Sequence, residues 1–275
     1  VEGLGGSERR GAAEAGGRKG LEEESVGADE TRVVIAEFMA GEEEKLSEMG
    51  PGQEVVELAS SKDNKPARDG EQGTNTGGMG AYSPAPVVTP AIHEAIRREV
   101  IDRALAGFAA DGIEYLGFLY AGLMVDDAGN IKVLEFNCRL GDPETQPLLM
   151  RLDSDLFDLC LAAVDGHLGL MSARWNPQAA LGVVMAAGGY PGAYDKGLPI
   201  QGLAAAAASG AKVFHAGTAQ SDEGDIVTSG GRVLCVTALG DDVAAAQQAA
   251  YAGADRITWD KVHLRRDIGA KAIGR

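Results

Sequence analysis

Two apolar runs, residues 115–125 and 131–136, are joined by Asp126-Asp127-Ala128-Gly129-Asn130. Apolar stretches of strand length around an Asp/Gly/Asn turn specify a β-hairpin, and a hairpin commits this part of the chain to antiparallel sheet. The second run ends in Glu135-Phe136-Asn137. Side chains alternate along a strand, so Glu135 and Asn137 share a face. Two oxygen donors there suit a hard cation such as Mg²⁺, which keeps waters and takes its other oxygens from phosphates. A strand end carrying ordinary polar residues into a turn has the same spacing, and E-x-N alone does not separate the two readings.

Around the hairpin, strand and helix signals follow one another. Val33-Val34-Ile35 reads as a buried strand. Residues 42–52, charged and broken by Pro51-Gly52, read as loop, and residues 54–59 as a further strand. Residues 69–86 are dense in Gly, Asn, Thr, Ser and Pro and read as one long loop, a feature often functional in compact domains. Thr89 and Pro90 open a helix as N-cap and first-turn residue. Its apolar face is Ile92, Ile96, Val100, Leu105 and Phe108, and Gly112 ends it. Leu148, Leu149, Leu152, Leu156, Leu159 and Val164 read as one further helix closed by Gly166. Beyond Trp175 the texture becomes β-rich. Residues 181–187, 212–215, 225–228 and 232–239 read as strands, the last two as a hairpin through Ser229-Gly230-Gly231. Residues 204–208 read as a short helix and 241–252 as an Ala-rich one. The shift of texture places a boundary near residue 170. Residues 1–30, rich in Gly, Glu and Arg without an apolar period, read as a flexible arm.

Charge narrows the function. The 275 residues include 41 acidic and 25 basic ones, a formal charge of −16. Nucleic acid and membrane surfaces both want a basic face, so neither is expected as a partner, although a local basic pocket for a phosphate substrate remains compatible. No apolar run reaches the roughly 18 residues a membrane span needs, and the polar N-terminus does not read as a signal peptide. Cys138, Cys160 and Cys235 are odd in number and form no C-x-x-C, so they read as reduced cytosolic thiols. Cys138 reads as a packing residue, because no histidine is positioned to activate it. His93, His167, His215 and His263 share no ligand spacing.

Two more segments can carry chemistry. Arg139 can hold a carboxylate or phosphate bidentately, while Asp142 and Glu144 just after it suit helix capping. The run Asn75-Thr76-Gly77-Gly78-Met79-Gly80 can form an anion-binding nest of backbone N–H groups or be plain loop. It is not a P-loop, since no G-K-[ST] follows, nor a dinucleotide fingerprint, since no strand–turn–helix surrounds it.

Together these motifs form a recognisable set. Residues 75–84 (Asn75 to Pro84), 117–123, and Glu135-Phe136-Asn137-Cys138-Arg139 with Gly141-Asp142-Pro143-Glu144-Thr145-Gln146-Pro147 resemble the phosphoribosylamine–glycine ligases of the ATP-grasp superfamily. Residues 186–192, 212–218 and 230–238 extend the resemblance to the C-terminal end. It implies an α+β fold: part of an ATP-grasp domain with a mostly antiparallel sheet flanked by helices in residues 31–169, then a small β-rich C-terminal domain in 170–275. It also implies de novo purine synthesis in the cytoplasm. ATP phosphorylates the carboxylate of glycine, and the amine of 5-phosphoribosylamine displaces phosphate to give glycinamide ribonucleotide. On this resemblance Glu135 and Asn137 bind Mg²⁺ or Mn²⁺, and Arg139 stabilises charge at the acyl phosphate. Asn75, Thr76, Gly77, Gly78, Met79 and Gly80 present backbone donors to phosphoribosylamine. Asp142, Pro143 and Glu144 shape the glycine and amine side. Glu37 and Phe38, with Glu42 and Glu43, resemble the hinge that meets ATP; Lys65 belongs to the same ATP side, and Arg232 to the domain closing over it.

The departures lie on that ATP side. The family's Rossmann-like N-terminal domain has no counterpart here. Its lid should precede Val33, where residues 1–30 keep only Gly16-Gly17-Arg18-Lys19-Gly20 and so resemble a degraded remnant. The hinge E-E-F begins with Ala36. An apolar strand is replaced by Glu44-Lys45-Leu46-Ser47-Glu48-Met49, and D-H-K-R by Asp63-Asn64-Lys65-Pro66. The expectation is the C-terminal portion of such a ligase, impaired as an isolated chain, with the N-terminal domain as a separate partner. The competing readings are a non-catalytic nucleotide- or partner-binding remnant and another ATP-grasp carboxylate–amine ligase.

Overall fold

In the computed structural model, residues 39, 41–51 and 55–274 are described; the expected strand at 33–35 and the arm 1–30 lie outside them. In chain order come β1 (Glu42–Pro51), β2 (Val56–Glu57), β3 (Lys62–Asp63), β4 (Pro66–Arg68), β5 (Gln72–Asn75) and β6 (Gly80–Ser83). Helix α1 (Pro90–Ile96) runs through a π-helical turn (Arg97–Ile101) into α2 (Asp102–Ala110), followed by the hairpin β7 (Leu116–Val125) and β8 (Ile131–Asn137). Then come α3 (Thr145–Arg151), α4 (Leu156–Val164), β9 (Ala179–Ala186), α5 (Leu203–Ala208), β10 (Lys212–His215), β11 (Thr218–Gln220), β12 (Ile226–Thr228), β13 (Arg232–Gly240) and α6 (Val243–Ala254). The fold is α+β, and the strand pairs are antiparallel.

Two sheets organise these elements. The first has the order β2-β1-β7-β8. On one face, Leu46, Leu119, Ala121 and Leu123 pack against Ile96, Val100, Ile101 and Leu105 of the long helix. On the other, Met49 and Val56 meet Leu159, Ala163 and Leu168. Full burial of one such aliphatic side chain contributes roughly 1.5–3 kcal/mol. The second sheet has the order β10-β13-β9-β6-β3. Its core joins Leu181, Val183 and Val236 to Ala246, Ala250 and Ala254 of α6, whose N-cap Asp242 accepts from the Ala245 N–H at 2.8 Å. Among the described residues, no helix is long and apolar enough to cross a membrane.

Four expectations are corrected. Residues 42–51 are not loop: β1 pairs with β7 along its whole length, from Glu42 opposite Val125 to Pro51 opposite Leu116. Two of its carboxylates are met inside the fold, Lys62 reaching both Glu42 and Glu44, and tertiary pairing overrides a composition that reads as exposed. Residues 69–86 are not one loop either. They contain β5, which turns back on β4, and β6, which is buried between β9 and β3. The helix expected over 148–164 breaks after Arg151. Leu152 bridges Trp175, and Asp155 caps a new helix by accepting from the Phe157 N–H at 2.8 Å. Finally, residues 225–239 do not form a hairpin. β12 pairs with β11, while β13 pairs with β9 and β10. The connecting Ser229 and Gly230 N–H groups both donate to Gly217 O. A Cβ on Gly217 would lie 2.6 Å from Gly230 Cα, so the chain can cross there only on glycine.

Candidate functional site

Cross-strand register builds the site. Lys45 on β1, Gly122 on β7 and Glu135 on β8 lie opposite one another in one row, and Tyr120 lies opposite Asn137 in the next. Glu135 and Asn137 are half-buried on one face while Phe136 points out at 44 % exposure, as alternation requires. Lys65 donates to Glu43 Oε1 at 2.6 Å and stands 3.9 Å from Glu135 Oε1. Lys45 donates to the same Glu43 oxygen. Glu43, Lys65 and Glu135 are thus brought together. Glu42 is not among them, because its neighbour in β1 points to the opposite face, and its ion pair is with Lys62.

The electrostatics of this cluster are those of a desolvated one. Burial would raise Glu43, but Lys45 and Lys65 outweigh it and hold the carboxyl below its ordinary value. Burial would lower Lys65, but Asp63, Glu43 and Glu135 keep its ammonium above the usual range. Asp63 is buried with Oδ1 unpaired. Burial first, and the Glu144 carboxylate second, push it up to about 7. Glu144 is buried and accepts from the Tyr120 hydroxyl at 2.7 Å. Burial and the neighbouring Glu144 and Asp63 charges raise that phenol far above its ordinary value. Glu144 makes no side-chain cap to α3, so the capping alternative fails for it.

Arg232 draws two distant segments together. Its Nη1 donates to Gly77 O at 2.6 Å and to Asp142 O at 2.8 Å, and Nη2 pairs with Asp142 Oδ2 at 3.1 Å. Gly78 faces Pro143: a Cβ at Gly78 would lie 2.4 Å from Pro143 Cδ, and its φ of +108° also demands glycine. Of the two readings of the Gly-rich segment, nest or plain loop, the hydrogen bonds favour the second, and the N–H groups from Thr76 to Met79 that the resemblance assigns to the substrate are already engaged. The Thr76 N–H donates to Lys65 O, the Gly77 N–H to the Tyr190 hydroxyl, the Gly78 N–H to Thr76 Oγ1 and the Met79 N–H to Asn64 O. The segment instead turns carbonyls toward Arg232. Met79 has its side chain in the second core, and Gly80 begins β6 there, so neither side of that pair faces the cluster. Asn75 closes β5. Arg139 is exposed and donates to Leu140 O. Cys138 is exposed rather than packed. Glu37 and Phe38 lie outside the described residues.

Glu135 and Asn137 suit a hard divalent cation by donor chemistry: one carboxylate and one amide oxygen on a shared half-buried face. Among the described residues no three His, Cys, Asp or Glu side chains gather to hold a metal on their own. A cation here would need the oxygens of a phosphate ligand as well.

Residues 9–145 match the family profile described as phosphoribosylglycinamide synthetase, ATP-grasp (A) domain, and residues 180–271 match that of its C domain. The chain belongs to the phosphoribosylglycinamide synthetase family. It is 62 % identical over 245 residues to a phosphoribosylamine–glycine ligase of Allochromatium vinosum, covering 89 % of this chain and 57 % of the relative. The crystal structure of a phosphoribosylamine–glycine ligase from Thermotoga maritima superposes with a TM-score of 0.83 at 34 % identity, over 94 % of this chain and 64 % of that one. The biotin carboxylase domain of a Hydrogenobacter thermophilus 2-oxoglutarate carboxylase shares the fold, with a TM-score of 0.55 at 17 % identity over 81 % of this chain and 47 % of that one. The chain therefore spans a little over half the length of the curated relatives it matches.

For this member of the phosphoribosylglycinamide synthetase family, sequence reasoning missed Lys45, Asp63 and Tyr120 as parts of the site, and understated Arg232. Tyr120 was within reach: it lies two residues before Gly122 and so on the same strand face. Lys45 and Asp63 enter only through β1 and β3, whose charges do not announce strands.

Proposed function

We propose that this chain carries the ATP-dependent ligation of glycine to 5-phosphoribosylamine, giving glycinamide ribonucleotide, ADP and phosphate in the cytoplasm. The reading is carried by one observation: Arg232 fastens the Gly77–Gly78 segment to the Asp142–Pro143 turn, and this lies beside a strand ending in Glu135 and Asn137. Both motifs that suggest this substrate thus meet in one place. Three free thiols agree with a reducing compartment.

In this reading Glu135 and Asn137 hold Mg²⁺ or Mn²⁺ with the phosphates of ATP. The cation, when bound, offsets charge on the transferring phosphoryl group. Lys65, with Glu43, faces those phosphates, while Glu37, Phe38 and Glu42 belong to the hinge side. Arg139 has a free guanidinium edge to place against the acyl phosphate. Glu144, fixed by the Tyr120 hydroxyl, orients the incoming amine and takes up its proton as the C–N bond forms and the acyl C–O bond to phosphate breaks, releasing inorganic phosphate. Asp142 and Pro143, clamped by Arg232, wall the glycine side. Asn75, Thr76, Gly77, Gly78, Met79 and Gly80 bound the sugar-phosphate side, with Met79 and Gly80 acting as anchors. Two regions divide the work near residue 170, the second closing over the nucleotide.

The isolated chain is expected to bind Mg-ATP in a calorimetric titration and to turn over weakly. A separately supplied N-terminal domain should raise ADP release that depends on both glycine and phosphoribosylamine. Glu135→Gln should lower that rate by about 100-fold or more. ADP release indifferent to glycine would overturn the assignment, and tight ATP binding without turnover in any combination would favour a nucleotide-binding remnant.

A further inference from the structure

β1 brings a lysine into the site. Lys45, Gly122 and Glu135 share one cross-strand row, and the glycine leaves nothing between its neighbours. A Cβ at Gly122 would lie 3.0 Å from Glu135 Cγ and 3.2 Å from Lys45 Nζ, so the ammonium and the glutamate stem converge over it. The Lys45 side chain has no exposed surface. Its charge is met by Glu43 and lies 5.4 Å from the centroid of the Tyr120 ring. Glu43 is shared with Lys65, which itself approaches Glu135 to 3.9 Å. Two ammonium groups therefore stand beside the place where a cation on Glu135 and Asn137 would sit, and only Lys65 was expected there.

We propose that Lys45 is a tethered cation of this site: it weakens the binding of a free divalent ion to Glu135 and Asn137, so that a metal enters together with phosphate oxygens. The inference rests on Glu135 and Asn137 being the metal ligands. A buried positive charge packed over the same glycine as the Glu135 stem repels a dication held there, and unlike a mobile counterion it cannot be displaced. Glu43 does not need Lys45 to stay paired, because Lys65 reaches the same oxygen. Removing the Lys45 charge therefore leaves the cluster more negative without stranding a carboxylate.

The test is a Mn²⁺ titration of the full chain, reading the paramagnetic resonance signal of the free aquo ion, with no nucleotide present. Lys45→Met fills a similar volume without charge and should bind Mn²⁺ at least about tenfold more tightly. Lys45→Arg keeps the charge and should stay at the starting affinity. Unchanged, weaker or undetectable Mn²⁺ binding by folded Lys45→Met would overturn the proposal. If that variant melts below the working temperature, Lys45→Gln, which can still hydrogen-bond Glu43, takes its place with the same expected gain. The gain must vanish when Glu135→Gln is added; a gain that survives locates the cation elsewhere and sinks the proposal. Loss of Mn²⁺ binding in the presence of ATP on Glu135→Gln, with no effect of Lys45→Met, would overturn the role of Lys45 alone. No effect of Glu135→Gln on Mn²⁺ in the presence of ATP would instead remove the metal-site reading beneath it.

Discussion

Arg232 is the side chain on which the two motif segments depend. Its guanidinium serves two backbone carbonyls from residues far apart in sequence, together with the Asp142 carboxylate. Truncation leaves those acceptors to be resolvated in a partly covered crevice. Arg232→Ala should cost about 1–3 kcal/mol in urea unfolding, and a loss below about 0.5 kcal/mol would show that the clamp is not formed in solution. Arg232→Lys should recover only part, because an ammonium cannot span the same fork of acceptors. At this scale the sequence was legible where the chemistry is local. Glu135 and Asn137 could be placed on one face from strand alternation alone. Glu144 could not be told from a helix cap, because its partner Tyr120 lies on β7, 24 residues earlier in the chain. Nest and plain loop could not be told apart for Thr76 to Met79, because the partners that engage its N–H groups, among them the Tyr190 hydroxyl and Asn64 O, leave no mark in the local sequence.

At the level of elements, β1 was the least legible. The hairpin β7–β8, the Thr89-capped helix and the Asp242-capped α6 announce themselves through period and caps. A strand reading Glu-Glu-Glu-Lys-Leu-Ser-Glu-Met does not, and its place between β2 and β7 comes from its neighbours. That placement has a pH signature. Glu44 and Glu48 are buried, with Glu44 Oε2 and both oxygens of Glu48 unpaired. Burial pushes each up to about 7, although the Lys62 charge draws Glu44 down and the Arg97 charge draws Glu48 down. A carboxyl with a raised folded-state value binds its proton more tightly when folded. The stability these two carboxyls contribute is therefore fully present below the ordinary value of 4.5 and is lost as pH rises through about 7. For Glu48 alone the change is about 3 kcal/mol, so the melting temperature should drop by roughly 5–10 °C between pH 5 and pH 8. Glu48→Gln should flatten that slope. A melting temperature rising across the same interval would contradict the burial of these carboxyls.

Across the molecule, Glu42–Arg275 is one compact unit, and its two sheets are tied by the chain itself. β3 and β6 come from before the hairpin yet pair into the sheet that holds β9 and β13. Unfolding should accordingly be a single transition, with far-UV dichroism and hydrogen exchange of β7 and β9 reporting the same midpoint. Two separated midpoints would show that the sheets open independently. The change of texture near residue 170 was visible in composition, but the crossing of β6 into the later sheet was not, because strand pairing over a hundred residues leaves no local trace.

The position of β6 between β9 and β3 means that the A and C family profiles do not divide the chain where its backbone hydrogen bonds do. A recombination breakpoint between residues 145 and 180 would carry β3 and β6 away and leave β9, buried along its whole length, as an open apolar edge. Such an edge is a row of unpaired amides that takes up a strand from any neighbouring molecule. In a library of exchanged C domains, residues 62–83 would have to travel with residues 179–240 for the grafted sheet to remain closed.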